Sequence, residues 1–471
     1  MKKKPLSEKP KEPKPKTALK PTLSSKASTS STASPSKWIR IDRPFPLPAS
    51  VKDVLEKIDH AGHIAYVVGG SVRDFLLGRE TKDHDIATSA NPDELCEIFT
   101  NAVTVGKIFG VIRVPYPDQV IEVATFRQDL DYRDHRHPEK VVFSSPEDDA
   151  QRRDFTVNAL FYDPKTSRIL DTVEGMNALR EKSICAIGNP THRFKEDALR
   201  LLRAVRFSAE LNFILEEYTA LAIEQHARLI TKISGERVRD ELTLMLTGSH
   251  PAEAFRLLSS TGLFPWVLPE ISHFKPTGGM WTYLVKALDA LSRQSPRRSS
   301  AVAWATLLHE AGKTATNKKI DSEALTAAHL ALVQKISDRL KMPGELIDSI
   351  CLLITEQPKF REVFEMREST LQRFIRQPKF AELLALHRAV AIASDGNLAF
   401  YEFAQSRYAE FLKSPGMDAK KFLTGEDLIQ MGFSPGPKFS QILRTVEDLA
   451  LELKITSKQE ALDYVLQHFV G

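Results

Sequence analysis

Asp83 and Asp85 bracket His84 in this 471-residue chain, and their spacing is the first sign of chemistry. In an extended segment, side chains two residues apart leave the same face, so the two carboxylates project together. Like charges that close repel unless a cation sits between them. Upstream, the apolar run Ile64 to Val68 reads as a buried strand ending at Gly69-Gly70, where the backbone can bend sharply and approach a ligand closely. Ser71 reads as the N-cap of a following helix, which would aim unpaired N–H groups and a positive dipole end at whatever lies above the glycines. Arg73 adds a cation beside it. A phosphate cradle and paired carboxylates together describe a site for a magnesium nucleotide.

The elements that must carry these residues follow from the pattern around them. From about residue 48 to 165, strands and helices alternate: a helix near 51 to 61, the strand into Gly70, a helix from 71, the aspartate strand and a helix opening at Asn91-Pro92. Two strands follow near 103 to 114 and 119 to 126, joined tightly at Pro115-Tyr116-Pro117-Asp118. The second carries Glu122 and can lie beside the aspartate strand. Residues 128 to 140, QDLDYRDHRHPEK, are rich in charge and poor in apolar anchors, and read as a mobile loop. In DDAQRRDFTVNALFYD, Arg153 and Asp154 stand at the start of a buried element, where an arginine can meet a triphosphate and an Asp or Asn can meet ribose hydroxyls.

A second constellation lies in HRFKEDALRLLRAVRFSAELNF, residues 192 to 213. On a single helix, Leu201, Leu202, Val205 and Ala209 gather on one side, with Asp197, Arg200, Arg203 and Arg206 on the other. Three arginines at successive i+3 positions repel unless anions or acidic partners neutralise them. From the residues alone, this half of the helix reads as a solvated charged face.

GGSVRD followed by DHD, RRDFTVNAL, EDALRLLRAVRF and SGERVRDEL resemble the motifs of class II nucleotidyltransferases, the family of tRNA CCA-adding enzymes and bacterial poly(A) polymerases. The resemblance is strong over residues 60 to 245 and looser beyond. It implies an α+β chain, in which a nucleotidyltransferase head with a mixed sheet precedes an all-α neck, body and tail. It also implies template-independent addition or repair of the tRNA 3′-terminal CCA from CTP and ATP, with release of pyrophosphate. Asp83 and Asp85 would hold two Mg²⁺ roughly 3.5 to 4 Å apart, with Glu122 as a third acidic site residue. Gly69, Gly70, Ser71, Arg73, Arg153 and Asp154 would contact the nucleotide, with Asn158 as support. Asp197 and Arg200 would read the base, and Arg203 and Arg206 would meet phosphates or hold that pair in place. DTVEG, with Asp171 and Gly175, resembles a short family motif at the head–neck junction and reads as a hinge or a simple turn. Glu236, Arg237 and Arg239 would brace the neck.

The same head serves other reactions. A poly(A) polymerase, a CC-only or A-only enzyme, and a noncatalytic RNA-binding protein built on this head remain as alternatives. Gly110 directly after Phe109 in VGKIFGVIRV resembles the CCA-adding branch. AWATLLHEAGKT resembles an HD phosphohydrolase module, but Glu310 stands where an Asp is expected after His309, so the segment reads as a helical relic.

Composition sets the outer bounds. An apolar content of 42% supports several cores over a chain long enough for two to four domains. Cys96, Cys185 and Cys351 are isolated, which fits a reducing cytoplasmic setting. Residues 1 to 37 hold ten lysines against two glutamates and almost no large apolar groups, and read as a disordered basic tail. The formal charge of +4 therefore hides a slightly acidic remainder, so RNA contacts must come from local patches or from that tail. The expected divisions are a head at 48–165, a neck at 166–270, a body at 271–415 and a C-terminal RNA-binding tail at 416–471.

Overall fold

The computed structural model describes residues 37–81, 83–104, 106–132, 138–295, 298–312, 322–413, 422–452 and 454–469. The expected basic tail falls outside these residues except for Lys37. A seven-stranded mixed sheet organises the head, built from β1 (Lys37–Arg40), β2 (Ala65–Val68), β3 (Asp85–Thr88), β4 (Val111–Pro115), β5 (Val120–Thr125), and the two later strands Phe161–Asp163 and Arg168–Asp171. Lys37, counted by composition with the tail, already belongs to this sheet, because β1 pairs with Arg168–Asp171 at its edge.

Register places the chemistry. Antiparallel pairing of β2 with β3 sets Val68 opposite Asp85, so the aspartate strand begins where the Gly69-Gly70 turn begins. β3 and β5 run parallel with Ile86 opposite Val123, which brings Glu122 next to Asp85. The side chains of Val67, Ile86, Ile112 and Val123 are fully buried in one core.

Some local expectations change. The strand expected from 103 to 114 is shorter: a 3₁₀ turn at Lys107–Phe109 between Gly106 and Gly110, both left-handed, interrupts it, and only a bridge from Val103 to Arg113 precedes β4. The loop expected at 128 to 140 is instead a hairpin of β6 (Arg127–Tyr132) and β7 (Pro138–Phe143) with residues 133–137 outside the described set. Cross-strand backbone bonds supply order that the charged composition did not announce. At the expected hinge, the Asp171 carboxylate accepts N–H bonds from Val173, Gly175 and Met176 at 2.9 to 3.2 Å. A Cβ on Gly175 would lie 2.4 Å from the Thr156 carbonyl, so the glycine is required by close packing and the segment is a tightly bonded turn.

The chain beyond the head is helical apart from a two-residue parallel pair, Ser183–Ile184 with Ile214–Leu215. One apolar core runs continuously from the head sheet through the Leu199–Leu211 helix into the body helices. The C-terminal helices Gly425–Gln430, Pro437–Leu451 and Lys458–Phe469 close around a separate core of Leu428, Ile442, Val446 and Val465. No helix among the described residues is long and apolar enough to cross a membrane.

Candidate active site

A cavity of about 730 Å³ opens between the head sheet and the neck helices, and every candidate residue except Glu122 lines it. Gly69 holds φ at 74° and forms the entry to the Gly70–Leu76 helix, a backbone conformation that side-chain-bearing residues rarely adopt. Gly69 rather than Ser71 is therefore the N-cap. The Ser71 hydroxyl instead donates to the Val68 carbonyl at 3.2 Å, tying the strand end to the first helical turn. A Cβ built on Gly69 would stand 3.5 Å from Arg153 Nη1 and 3.8 Å from Asp85 Oδ2, which puts the turn, a cation and a carboxylate within one contact radius.

Each arginine on the phosphate side is held before any ligand arrives. Arg73 is almost fully buried, bonded to Asp74 at 2.9 Å and to Asn158 Oδ1 at 2.7 Å. Arg153 is gripped by Asp149 at 3.0 and 3.1 Å and lies over the Phe161 ring. Asp154 bonds Arg203 at 2.6 and 2.8 Å and accepts from the Phe155 N–H and from Asn158. Burial pushes the Asp154 carboxyl up, but Arg203, Arg200 and that N–H outweigh it and hold it at about 2. Asn158 thus bridges Arg73 to Asp154, the supporting role expected for it.

The neck departs from the single helix expected over 192 to 213. One helix, Pro190–Glu196, ends at Asp197, which is extended (φ −138°, ψ 105°), and a second runs Leu199–Leu211. Asp197 consequently leaves the helical face and caps the break, with its Oδ1 accepting from the Leu199 N–H at 3.0 Å. The three arginines behind it are neutralised as their repulsion requires. Arg200 meets Glu196 at 2.6 Å, Arg203 meets Asp154, and Arg206 meets Glu241 at 2.7 Å and Glu210 at 3.1 Å. All of Arg73, Arg203 and Arg206 approach the Phe207 ring, at 5.3, 5.1 and 4.1 Å from its centroid. Arg200 also donates to the Arg152 carbonyl at 3.0 Å, which joins the neck side of the cavity to the head.

Glu122 sits beside Asp85 but pairs with Arg113 at 2.7 Å, away from the cavity wall. Asp85 is open to solvent yet hemmed in by protein on its other sides. That desolvation, with the neighbouring Glu122 and Asp83 charges, raises its carboxyl to about 6 despite the nearby Arg153. Among the described residues no cluster of three or more His, Cys, Asp or Glu gathers as a metal cage. Two carboxylates beside a phosphate cradle nonetheless fit a hard divalent cation, which takes one or two protein carboxylates and completes its shell with substrate oxygens and water. The raised Asp85 carboxyl is what an uncompensated pair should show, since a cation there would favour ionisation.

A pH dependence follows. With Asp85 as a cation ligand, a proton would compete with the metal below about 6, so divalent-cation affinity, titrated by calorimetry, should fall by up to about tenfold per pH unit toward pH 5. A flat affinity between pH 5 and 7 would count against Asp85 as a ligand. The stability sign is opposite to that of Asp154. Because the folded value of Asp85 lies above its ordinary 3.8, its ionisation weakens the metal-free fold above about pH 6, and that penalty fades as pH falls.

Three residues escaped the sequence reading as parts of this site. Asp149 is completely buried and clamps both Arg152 and Arg153. Its i+3 and i+4 spacing to them on one short helix was the readable signal. Arg237, expected only as a neck brace, forms a two-point pair with Asp197 at 2.8 and 3.1 Å. Glu241 receives Arg206 and approaches Arg203 at 3.7 Å. Nothing in linear spacing announces these last two, which are 40 and 35 residues from their partners.

Elsewhere, His309 is a buried core residue bonded to Tyr283 at 2.7 Å, and residues 313–321 of that segment lie outside the described set. In the C-terminal segment, Lys438 donates to the Phe469 carbonyl at 3.2 Å.

The sequence and the fold match known proteins. Residues 65–185 match the model of the poly A polymerase head domain, and 212–275 that of a probable RNA and SrmB-binding site of polymerase A. A CCA-adding enzyme of Levilactobacillus brevis is 32% identical over 418 residues, 87% of this chain and 95% of that protein. One of Geobacillus kaustophilus is 45% identical over 215 residues, a match that spans 53% of the relative's length. The solved CCA-adding enzyme of Bacillus stearothermophilus, in complex with CTP, matches with a TM-score of 0.68 at 27% identity, over 89% of this chain and 99% of that one. A Thermotoga maritima CCA-adding enzyme complexed with tRNA-CCA matches with a TM-score of 0.59 at 21% identity, a likeness of fold.

Proposed function

The chain belongs to the CCA-adding enzyme family of tRNA nucleotidyltransferases, and from that premise we propose that it adds or repairs the 3′-terminal CCA of tRNA from CTP and ATP. The observation that carries this reading is the shared cavity: the aspartate pair and the Asp197/Arg200 pair line one space large enough for a single nucleotide and the end of an RNA. Enzymes of this class depend on a metal ion, and magnesium is the natural choice for two carboxylates facing a triphosphate.

The proposed reaction is an in-line displacement. The RNA 3′-hydroxyl oxygen forms a bond to the α-phosphorus of the bound nucleotide, the bond from that phosphorus to the bridging oxygen breaks, and pyrophosphate leaves. When bound at Asp83 and Asp85, a divalent cation supplies phosphate charge neutralisation and a lower pKa for the attacking hydroxyl. Gly69 and Gly70 let the triphosphate come close to the backbone, and Arg73 and Arg153 offer fixed cations that hold it through binding and transfer alike. Asp154 and Asn158, already interlocked, stand where the sugar hydroxyls would be read.

Base choice falls to the break between the neck helices. Arg237 fixes the Asp197 carboxylate, leaving that carboxylate as acceptor for an exocyclic amino group, while Arg200 serves the adjacent ring acceptor. Uracil and guanine present the reverse polarity and leave both protein groups unsatisfied, which is the costly outcome. The protein side chains therefore act as the template. Binding titrations with the four ribonucleoside triphosphates in magnesium test this: CTP and ATP should compete for one site, with UTP and GTP far weaker. Equal binding of all four, or separate sites for CTP and ATP, would overturn it.

A further inference from the structure

Asp149 is a fully buried carboxylate just upstream of RRDFTVNAL, and the sequence assigned it no role. Burying a lone anion costs several kcal/mol, so its partners reveal why it is there. One oxygen accepts from Arg152 at 2.6 and 2.8 Å and from the backbone N–H of Arg127 at 3.3 Å. The other accepts from Arg153 at 3.0 and 3.1 Å. Burial alone would push its carboxyl up, yet Arg153 and Arg152 outweigh that and hold it below the ordinary carboxylate range.

Each partner leads to a different part of the site. Arg153 is the cation beside Gly69 and Asp85. Arg152 closes the helix whose last carbonyl receives the base-reading Arg200. Arg127 is the first residue of the β6–β7 hairpin.

We propose that Asp149 is a positioning residue for nucleotide transfer, one carboxylate that fixes the triphosphate-side arginine, the anchor of the base-reading arginine and the root of the β6–β7 hairpin in a single geometry. It touches neither substrate nor metal and acts through Arg153 and Arg152. The proposal rests on the nucleotidyltransfer reading above. Since the Arg153 cation meets the triphosphate in both the ground and the transition state, losing its alignment weakens binding more than it slows the chemical step.

The test uses the full chain with magnesium, CTP, ATP and a tRNA transcript lacking its last three nucleotides. Asp149→Asn keeps the shape but removes the charge. It should raise KM for both nucleotides by about ten- to a hundredfold, with a smaller change in kcat and an unchanged KM for tRNA. The inhibition constant of pyrophosphate should weaken in parallel, and Asp149→Glu should recover part of the loss. A general loss of fold would instead lower the active fraction, titrated by tight nucleotide trapping, and leave KM where it was. Should Asp149→Asn not fold, Arg153→Lys and Asp149→Glu singly and together give the same answer, because the proposal requires their effects on nucleotide KM to be strongly non-additive. Wild-type activity with unchanged nucleotide KM in Asp149→Asn, or additive effects in the cycle, would overturn the role of Asp149 alone. An inactive wild type would overturn the reading beneath it.

Discussion

Asp83→Asn and Asp85→Asn should each abolish transfer of both CMP and AMP, by about 10³-fold or more in kcat, without lowering the melting temperature of the metal-free protein. The two halves of this result separate a catalytic from a structural role. Among the described residues neither carboxylate forms an ion pair like those of Asp154 and Asp149, and burial, with the neighbouring Glu122 charge, holds Asp85 at about 6. Removing its charge relieves that crowding, so Asp85→Asn should stabilise the metal-free protein at pH 7, with the gain shrinking as pH falls toward 5. Incorporation assays at saturating CTP and ATP, paired with thermal melts at the two pH values, measure both. Substantial activity in either variant would remove the aspartate pair from the mechanism.

Asp197→Ala strikes selection rather than chemistry. The variant loses the acceptor for the exocyclic amino group and strands Arg237, whose two-point contact at 2.8 and 3.1 Å has no other anion to replace it among the bonds described. Losing a charge-assisted bond and leaving a partner unsatisfied should lower kcat/KM for CTP and ATP by about 10²-fold, while UTP and GTP lose much less. The ratio of CTP to UTP incorporation therefore collapses. Single-nucleotide incorporation kinetics with the four triphosphates read it directly. A uniform loss for all four bases would place Asp197 in the scaffold instead.

What the sequence revealed and what it hid divide along physical lines. The apolar run before Gly69-Gly70 and the two-residue spacing of Asp83 and Asp85 are local properties, and the turn, the strand and their common face appear where they were expected. The strand that carries Glu122 was legible too, but its parallel pairing with the aspartate strand is set by the sheet and not by local pattern. Ser71 was misplaced because an N-cap depends on backbone angles, and Gly69 adopts the left-handed φ that only the fold demands. The neck helix looked continuous because a helical wheel counts residues and cannot see that Asp197 gains more from Arg237 and the Leu199 N–H than from a helical turn. The β6–β7 hairpin was hidden for a related reason: its order comes from cross-strand bonds and not from apolar anchors.

Charge pairing was the least legible layer. Repulsion among Arg200, Arg203 and Arg206 implied that acidic partners exist, but Glu196, Asp154 and Glu241 come from three separate segments. Only Asp149, three and four residues before its arginines, lay within reach of sequence reasoning.

The most direct test of the whole account is the 3′-end sequence left on tRNA. Transcripts ending before the first C, after the second C, or with the complete terminus are incubated with CTP and ATP, separately and together. The account predicts two C residues and one A on the first, one A on the second, nothing on the third, and arrest after the terminal A. Long A tails on these and on unrelated RNAs, or no incorporation at all, would contradict it.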